Sequence, residues 1–294
     1  MKKILLTGGN GFIGKNILEG YLAEKYEITA PRSYELNLVD TDCVDEYFKN
    51  KSFDVVLHAA AKPGHRNAKD RTNLFYSNMR MFENLVRHKD KFGKFVNFGS
   101  GAIYDQSKNI TLAKEADICK NMPADEHGFC KYCEQKCIEK LENFVDLNIF
   151  GIFGKYEDWE IRFISNAVCK CIFNLPVTLR QNRRFSYIFV EDLFPVLEFF
   201  IENDVKYSSY NVTGNEPADL LQLAKTVVAI CNPDNDIKVA QDGYGLDYTG
   251  DNSRLRAEFC SMAFTSFNTA IEKLYDYYSK NKDLIDIELL KTDK

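Results

Sequence analysis

The feature that most constrains this chain is a set of three spaced glycines that follows an apolar run. Residues 3–6 (Lys-Ile-Leu-Leu) are typical of a buried strand, and glycines come at positions 8, 11 and 14, where a helix is predicted over 12–24. This spacing permits a tight turn, a close approach of the backbone to a pyrophosphate, and amide donors at the helix N-terminus. A dinucleotide-binding loop is therefore predicted. Its expected cofactor contacts are Gly8, Asn10, Gly11, Phe12, Ile13 and Gly14.

Short apolar runs alternate with amphipathic stretches over the first two thirds of the chain, which indicates βαβ units. We expect the α/β class, with a Rossmann-type doubly wound parallel sheet in residues 1–150 and a return of the chain at about 188–203. Residues 151–294 are assigned mainly to a smaller C-terminal α/β lobe that binds the substrate. Strands are predicted at 27–30, 54–58, 95–98 and 145–150, and helices at 80–88, 129–141, 156–173, 219–229 and 267–278. Residues 243–252 are predicted to form a loop, in which residues 248–252 either lie over the sugar or merely form a turn.

Composition excludes several classes of partner. The net charge of −5 argues against a nucleic-acid binder held by phosphate contacts. No window approaches 18 uninterrupted apolar residues, so no membrane span is expected, and the chain enters a strand at once rather than a signal peptide. The nine cysteines lack zinc-ligand spacing, which predicts reduced thiols, no metal and a cytoplasmic protein.

The end of the second predicted strand bears on the choice of cofactor. An NAD-selective site usually has a carboxylate there to accept bonds from the ribose hydroxyls. This chain has Arg32 and Ser33 instead, and a guanidinium suits a 2′-phosphate. NADP(H) is therefore predicted, with NAD(H) as the alternative; a solvated surface role for Arg32 is also left open.

Several ordered motifs resemble those of the extended short-chain dehydrogenase/reductases, the NAD-dependent epimerase/dehydratase family of sugar-nucleotide epimerases, dehydratases and ketoreductases. The motifs are Thr7–Gly14, Asp54–Ala61, Asn78, Gly99–Tyr104, Phe150–Gly154 and Tyr187–Asp192. Residues 35–40 are similar to the segment that lines the adenine in GDP-fucose-synthase-like proteins. Besides Arg32 and Ser33, the resemblance implies cofactor contacts at Asn37, Leu38, Ala59, Ala60, Ala61, Asn78 and Lys131.

The family pairs a serine or threonine with a later Tyr-x-x-x-Lys, and this sequence departs from that pattern. Ser100 stands four residues before Tyr104, where the resemblance implies that its hydroxyl bonds the sugar oxygen that gains or loses a proton. In place of Tyr-x-x-x-Lys the chain has His127-Gly-Phe-Cys-Lys131. The resemblance implies that Lys131 holds the ribose of the nicotinamide. Ser100, His127 and Lys131 are the expected catalytic residues.

A second match, Tyr132-x-x-x-Lys136, lies five residues further on. Positions five apart on a helix differ by about 140° around its axis, so the two pairs cannot both face the cofactor. Pro123, Gly128 and the small Cys130 all favour the 127/131 register.

Histidine and tyrosine can both exchange a proton with a heteroatom, although their ordinary pKa values, near 6.5 and 10, differ. A neighbouring lysine disfavours the imidazolium form of His127, leaving a neutral base or weak donor. Several alternatives stay open for His127. The acid and base roles could be reversed, the enzyme could be weakened, or the protein could bind without turnover. His127 could also be a histidine on a helix face without a catalytic role.

The residues after Ser100 bear on the reaction. Family dehydratases have an Asp-Glu pair there, whereas this chain has Gly101 and Ala102, so elimination of water is not expected. The Cys and His of double epimerases correspond here to Ala102 and Arg162, so double epimerisation is not expected either. NADPH-dependent reduction of a 4-keto sugar nucleotide is therefore expected. A 4-epimerase with tightly bound NAD and a non-catalytic dinucleotide-binding protein are the alternatives.

The resemblance also implies a homodimer built on two helices per subunit. The expected substrate contacts are Ala102, Tyr104, Arg162 and Arg184.

Overall fold

The computed structural model describes residues 1–292 of the 294-residue chain. Its strands are β1 (Lys3–Thr7), β2 (Glu27–Thr29), β3 (Phe53–His58), β4 (Phe92–Ser100), β5 (Ile110–Ala113), β6 (Phe144–Ile149), β7 (Gly151–Phe153), β8 (Val177–Asn182), β9 (Arg184–Phe185), β10 (Tyr187–Phe189), β11 (Ser209–Val212), β12 (Ala218–Asp219), β13 (Ile237–Tyr244) and β14 (Tyr248–Gly250). Its helices are α1 (Phe12–Glu19), α2 (Leu22–Lys25), α3 (Thr41–Phe48), α4 (Leu74–Val86), α5 (Glu126–Ile138), α6 (Phe163–Ile172), α7 (Leu193–Glu202), α8 (Leu220–Cys231), α9 (Ser253–Glu258), α10 (Phe267–Lys280) and α11 (Ile287–Lys291).

A six-stranded sheet in the order β11-β6-β4-β3-β1-β2 forms the centre of the molecule, and all its strand pairs are parallel. Successive side chains of β1 point to opposite faces. Ile4 and Leu6 join one core with α1, α7 and α9, whereas Leu5 joins another with α3, α4 and α5. Helices on both faces explain why the strands are apolar throughout. The predicted α/β class and Rossmann-type sheet are confirmed.

The order of the strands fixes where a ligand can bind. The chain leaves β1 toward β2 on one side and then returns to β3 on the other side. In open α/β sheets, ligands bind outside the carboxyl ends of the strands at such a switch point. The loops after β1 and β3, at residues 8–11 and 59–62, meet there.

The second lobe packs α6, α8 and α10 around its own core, with the paired strands β8 and β13 beside it. A small sheet in the order β12-β9-β14-β5 combines β5 of the first half of the chain with three strands of the second half. The predicted return segment contains α7, and β11 comes after it to complete the central sheet.

Several local predictions differ from the structure. The helix predicted over 12–24 is divided into α1 and α2, which Gly20 and Tyr21 separate. Helix α6 begins only at Phe163, not at 156, because Tyr156 adopts φ 71°, which an α-helix does not allow. The predicted loop 243–252 contains the end of β13 and all of β14, since β14 pairs with strands that are remote in sequence. Among residues 1–292, no helix is long and apolar enough to cross a membrane.

Candidate functional site

The turn after β1 forms the floor of a groove. Gly8 has φ 74°, and a Cβ built on it would lie 2.6 Å from the amide nitrogen of Ala60. The Gly11 amide donates to the Gly8 carbonyl at 2.9 Å and closes the turn ahead of α1. Even a methyl group at Gly8 would collide with the loop after β3. A turn this tight is suited to the close approach of the backbone to a dinucleotide pyrophosphate.

A groove of about 450 Å³ runs from this turn along the loop after β3. It is lined by Gly8, Gly11, Val39, Ala59, Ala60, Ala61, Lys62, Ser77 and Met81. Asn78 holds the loop, because its side chain accepts from the Lys62 amide at 2.7 Å and donates to the Lys62 carbonyl at 3.1 Å. The role of Asn78 in the structure is thus to shape the groove wall.

The loop after β2 lies beside the same groove. The exposed Arg32 guanidinium donates to the Asn10 side chain in the glycine turn. Ser33 and Asn37 are exposed as well. Leu38 differs, since its side chain is buried in the core and its carbonyl accepts from Asn84 at 2.9 Å.

Helix α5 carries Lys131 into a buried polar cluster at the sheet. The Lys131 Nζ donates to Glu134 Oε2 at 2.9 Å, and Asn97 Nδ2 donates to both Glu134 (2.9 Å) and Asp146 (2.8 Å). Burial alone would lower the pKa of Lys131, but the charge and hydrogen bond of Glu134 raise it above its usual value. Burial and the Glu134 charge raise the pKa of Asp146 to about 7. The ion pair therefore holds a charged ammonium at this point.

The alternative pair lies elsewhere on α5. Tyr132 stacks its ring on Phe129 with centroids 6.3 Å apart, and Lys136 pairs with Glu139 at 2.7 Å. Both are more exposed than Lys131, which retains 6% of its surface.

His127 lies in the first turn of α5, which begins where the Asp125 side chain accepts from the Gly128 amide at 2.8 Å. A Cβ added to Gly128 would lie 2.6 Å from the Ala102 carbonyl oxygen, so this turn packs on the segment after Ser100. Burial, and after it the Lys131 charge, lower the pKa of His127 to about 4. The imidazole is therefore neutral at neutral pH.

Ser100 ends β4 and is only partly buried. Its Oγ accepts from the Ala102 amide at 3.2 Å. A Cβ added to the next residue, Gly101, would lie 2.6 Å from the Tyr248 hydroxyl, so this tyrosine packs against the backbone beside Ser100. The sequence left open whether the segment with Tyr248 covers the substrate or is merely a turn. Pairing of β14 beside β5 and β9 is what brings Tyr248 to this place.

The expected substrate contacts fall into two groups. Ala102 is fully buried and Tyr104 is 6% exposed with its hydroxyl donating to Asn211, so both form the wall behind Ser100. Arg162 is exposed, and its charge affects the pKa values of His127 and Tyr248, which places it between α5 and β14.

The two arginines before Phe185 point to opposite sides. Arg184 pairs with Asp247 at the rim of a separate open cavity of about 500 Å³. Arg183 lies toward Tyr187 and Tyr248, and its buried Nε has no hydrogen-bond partner within residues 1–292. Because successive side chains of an extended chain point to opposite sides, the sequence predicts that Arg183 and Arg184 point in different directions. It does not indicate which of the two faces the site.

Within the described part of the chain, no cluster of three or more His, Cys, Asp or Glu side chains is arranged to hold a metal ion. The nine cysteines are free thiols.

Comparison with known proteins agrees with this architecture. The profile of the NAD dependent epimerase/dehydratase family matches residues 4–213. GDP-L-colitose synthase of Yersinia pseudotuberculosis is 24% identical over 251 residues, covering 78% of this chain and 82% of that protein. GDP-L-fucose synthase of Azorhizobium caulinodans is 30% identical over 173 residues, covering 53% and 54%. The structure of a GDP-D-glycero-L-gluco-heptose synthase from Campylobacter jejuni, determined in the presence of NADPH, superimposes with a TM-score of 0.82 at 16% identity, covering 94% and 98%.

Proposed function

The chain belongs to the NAD-dependent epimerase/dehydratase family, and on that premise we propose that it reduces a 4-keto sugar linked to a nucleoside diphosphate, with NADPH as the reductant. Relatives named as GDP-sugar synthases support the substrate class. The exposed guanidinium of Arg32, fastened to Asn10 at the glycine turn, supports NADP(H) over NAD(H).

The observation that carries the proposal is the packing of α5 against the segment after β4, at the carboxyl end of the sheet. The first turn of α5, with His127, packs on the segment that follows Ser100, and Lys131 lies one turn further along the same helix. Elimination of water would require acid and base groups where Gly101 and Ala102 stand. Hydride transfer to a ketone requires only a donor to the oxygen and a correctly held cofactor.

Each of these residues has a definable task. When bound, NADPH supplies the hydride, and Lys131 is the ammonium positioned to hold its ribose. Ser100 donates a hydrogen bond to the carbonyl oxygen as negative charge develops there. The alkoxide that hydride transfer leaves takes its proton from water through the neutral His127 imidazole, which gives a proton from one ring nitrogen as it accepts another at the second.

The substrate diphosphate is assigned to Arg162 and Arg183. Arg162 is exposed in the site, and Arg183 brings a buried guanidinium nitrogen without a protein partner. A buried donor of this kind favours a charged acceptor. Arg184 is already paired with Asp247.

The proposed assembly is a homodimer in which α4 and α5 of each subunit form a four-helix bundle. The two helices pack side by side, with Phe75 stacked on Phe129 at 5.4 Å, and Tyr76 projects from α4 with 60% of its surface exposed.

The direct test is consumption of NADPH with a panel of GDP-, dTDP- and UDP-linked 4-keto sugars, followed by mass spectrometry of the products. We expect a mass gain of two hydrogens in at least one substrate. Isomerisation without net NADPH consumption would instead identify a 4-epimerase. Tight NADPH binding without any turnover would identify a binding protein.

A further inference from the structure

The connection between β3 and α4 is long and irregular. Residues 59–73 contain no helix or strand. In compact domains, connections of roughly 12–15 residues without secondary structure are uncommon, and they are often lids over binding sites. The first residues of this connection line the cofactor groove. We refer to residues 62–73 as the strap.

The strap is held to the first lobe at both ends. At its start, the Asn78 side chain bonds both the amide and the carbonyl of Lys62. Just past its end, the Phe75 amide donates to Glu126 Oε1 of α5 at 2.7 Å. The strap therefore runs from the cofactor groove to the first turn of α5, which carries His127.

The middle of the strap contacts the second lobe. Asn67 Nδ2 donates to Glu160 Oε2 at 2.9 Å and lies 3.5 and 3.4 Å from the two carboxylate oxygens of Asp158. His65 Nδ1 lies 3.8 Å from Asp158 Oδ2. These contacts, which we call the clasp, join the two lobes across the space between them.

The clasp lies beside Arg162, the exposed guanidinium assigned to the substrate diphosphate. Asp158 and Arg162 belong to one turn, because the Arg162 amide donates to the Asp158 carbonyl at 3.0 Å. Burial, and after it the Arg162 charge, lower the pKa of His65. The same charge also lowers the pKa of His127, after burial and the Lys131 charge. Arg162 therefore lies between the strap and the first turn of α5.

The strap is basic, although the net charge of the chain is −5. Arg66, Lys69 and Arg71 are all exposed on it. Cations at the mouth of a site attract ligands that carry phosphate groups. A ligand closes a lid only if it interacts more favourably with the closed position than with the open one, and a basic strap offers that difference to NADPH and to a nucleoside diphosphate.

We propose that the strap is a lid over the site between the lobes, that Asn67 holds it closed, and that phosphate-bearing ligands favour the closed position. When the clasp breaks, the strap swings on its two held ends and the space between Arg162 and His127 becomes accessible to the sugar nucleotide. This inference rests on the proposed function, because it takes that space to be where the substrate binds.

Limited trypsin digestion tests the lid, because Arg66, Lys69 and Arg71 are trypsin sites within the strap. Cleavage of a loop follows the population of its open form when opening and closing are fast relative to cleavage. A hydrogen bond contributes roughly two- to tenfold to such an equilibrium, and Asn67→Asp also adds a third carboxylate to the clasp, so this variant should be cleaved in the strap about tenfold faster. Asn67→Asp combined with Glu160→Lys restores an attractive pair and should return the rate to near that of the parent.

Two controls accompany this comparison. Asn203→Asp is the matched variant, because the Asn203 side chain donates to the Phe199 carbonyl at the end of α7, and it should leave cleavage of the strap unchanged. Cleavage after Lys238, which is exposed in β13, is the reference within each digest. An unchanged rate in Asn67→Asp, or no recovery in the double variant, would overturn the clasp.

Ligand protection is measured on the parent protein with NADPH, alone and together with GDP, UDP or dTDP. At ligand concentrations about ten times the dissociation constant, at least one combination should slow cleavage of the strap about tenfold and leave cleavage after Lys238 unchanged. If calorimetry shows that NADPH binds but no combination protects the strap, the lid is refuted. If the strap is protected but no 4-keto sugar nucleotide is reduced, the proposed function fails while the lid stands. If none of these ligands binds, both fail together.

Discussion

At the scale of single residues, the site depends on how burial sets protonation. In the proposed register His127 takes the place of the family's tyrosine, and its pKa of about 4 makes it a neutral imidazole at neutral pH. Glu134, 2.9 Å from Lys131, opposes the effect of burial and raises the pKa of Lys131 above its usual value. In the proposed reaction the two side chains, four residues apart on α5, therefore have opposite tasks: one is an uncharged proton exchanger and the other a fixed cation.

The first prediction concerns His127. His127→Ala should lower kcat by roughly 10²-fold or more and leave the NADPH dissociation constant nearly unchanged, because acid-base help acts in the transition state. In the reductive direction, the rate of the parent should rise as the pH falls toward about 4, where the imidazolium forms. Steady-state kinetics over a pH series measures both effects.

His127→Tyr should be tolerated, should lose that acidic limb and should keep or increase activity. Tyr132→Phe is the control and should change little, because its ring stacks on Phe129. Loss of activity in Tyr132→Phe but not in His127→Ala would mean that the 132/136 pair faces the cofactor.

The second prediction concerns Arg32. The unmodified protein should bind NADPH about tenfold more tightly than NADH, a difference of about 1.4 kcal/mol. Arg32→Ala should remove that difference, since no other change is made to the 2′-phosphate side of the groove. Isothermal titration calorimetry gives both constants. Arg87→Ala, an exposed arginine paired with Asp45, should retain the preference; equal binding of both cofactors by the parent would contradict the assignment.

At the scale of elements, the groups of the proposed site lie on short segments, and longer helices and strands hold these segments in place. The turn after β1, the end of β4, the first turn of α5 and the three residues of β14 supply the groove and the polar groups. Each is held by a neighbour that is distant in sequence. Asn78 of α4 shapes the loop after β3, and Ala102 receives the first turn of α5.

The third prediction uses two glycines with the same backbone conformation. Gly8 and Gly243 both have φ 74°, but an added Cβ meets Ala60 nitrogen at 2.6 Å in one case and nothing within 4 Å in the other. Gly243→Ala should cost only the conformational penalty, about 1 kcal/mol, and leave cofactor binding intact. Gly8→Ala should cost more and also abolish NADPH binding. Thermal unfolding and calorimetry separate the two; equal effects would mean that the turn tolerates displacement.

At the scale of the whole molecule, two bodies meet along the site. The central sheet and its helices form one body, and α6, α8 and α10 form the other. The small sheet with β5, β9 and β14 joins them, which brings Tyr248 of the second lobe to Gly101, the residue after Ser100. Buried ionisable groups in both bodies couple their stability to pH.

The fourth prediction concerns Glu157, a carboxyl whose pKa burial raises from 4.5 to about 8. The folded state binds this proton more tightly than the unfolded state, so its contribution is complete at low pH and is lost as the pH rises from about 4.5 to 8. Glu157→Gln should remove that loss. Relative to the parent, its free energy of unfolding should increase by about 3 kcal/mol between pH 5 and 8.

Denaturant unfolding at several pH values measures this difference. The exposed Glu216→Gln is the control and should run parallel to the parent. A constant difference between Glu157→Gln and the parent at every pH would show that the carboxyl is ionised in the folded protein.

The fifth prediction concerns assembly. An isologous dimer through α4 and α5 should sediment as a dimer at micromolar concentration. Tyr76→Glu places two like charges near the two-fold axis of that bundle and should yield a monomer. Tyr34→Glu, at a side chain 85% exposed in the loop after β2, should remain a dimer. A monomeric parent would rule out the proposed interface.

The sequence by itself determined what depends on neighbours along the chain. Glycine spacing after an apolar run fixed the dinucleotide turn, since tight turns are set by local sterics. Apolar periodicity indicated the βαβ order, and the resemblance of short motifs to those of the family named Ser100, His127 and Lys131 as candidates. These inferences need only a few consecutive residues, because backbone conformation and helix phase are local properties.

Only the tertiary structure decided which remote groups meet. Pairing of β14 beside β9 brings the Tyr248 hydroxyl to Gly101 and Asp247 to Arg184, whereas Arg183 lies toward Tyr187 and Tyr248. The pKa of His127 likewise follows from burial and from Lys131, neither of which the spacing of residues reveals. Strand pairing and desolvation depend on contacts between distant segments, and such contacts exist only once the chain has folded.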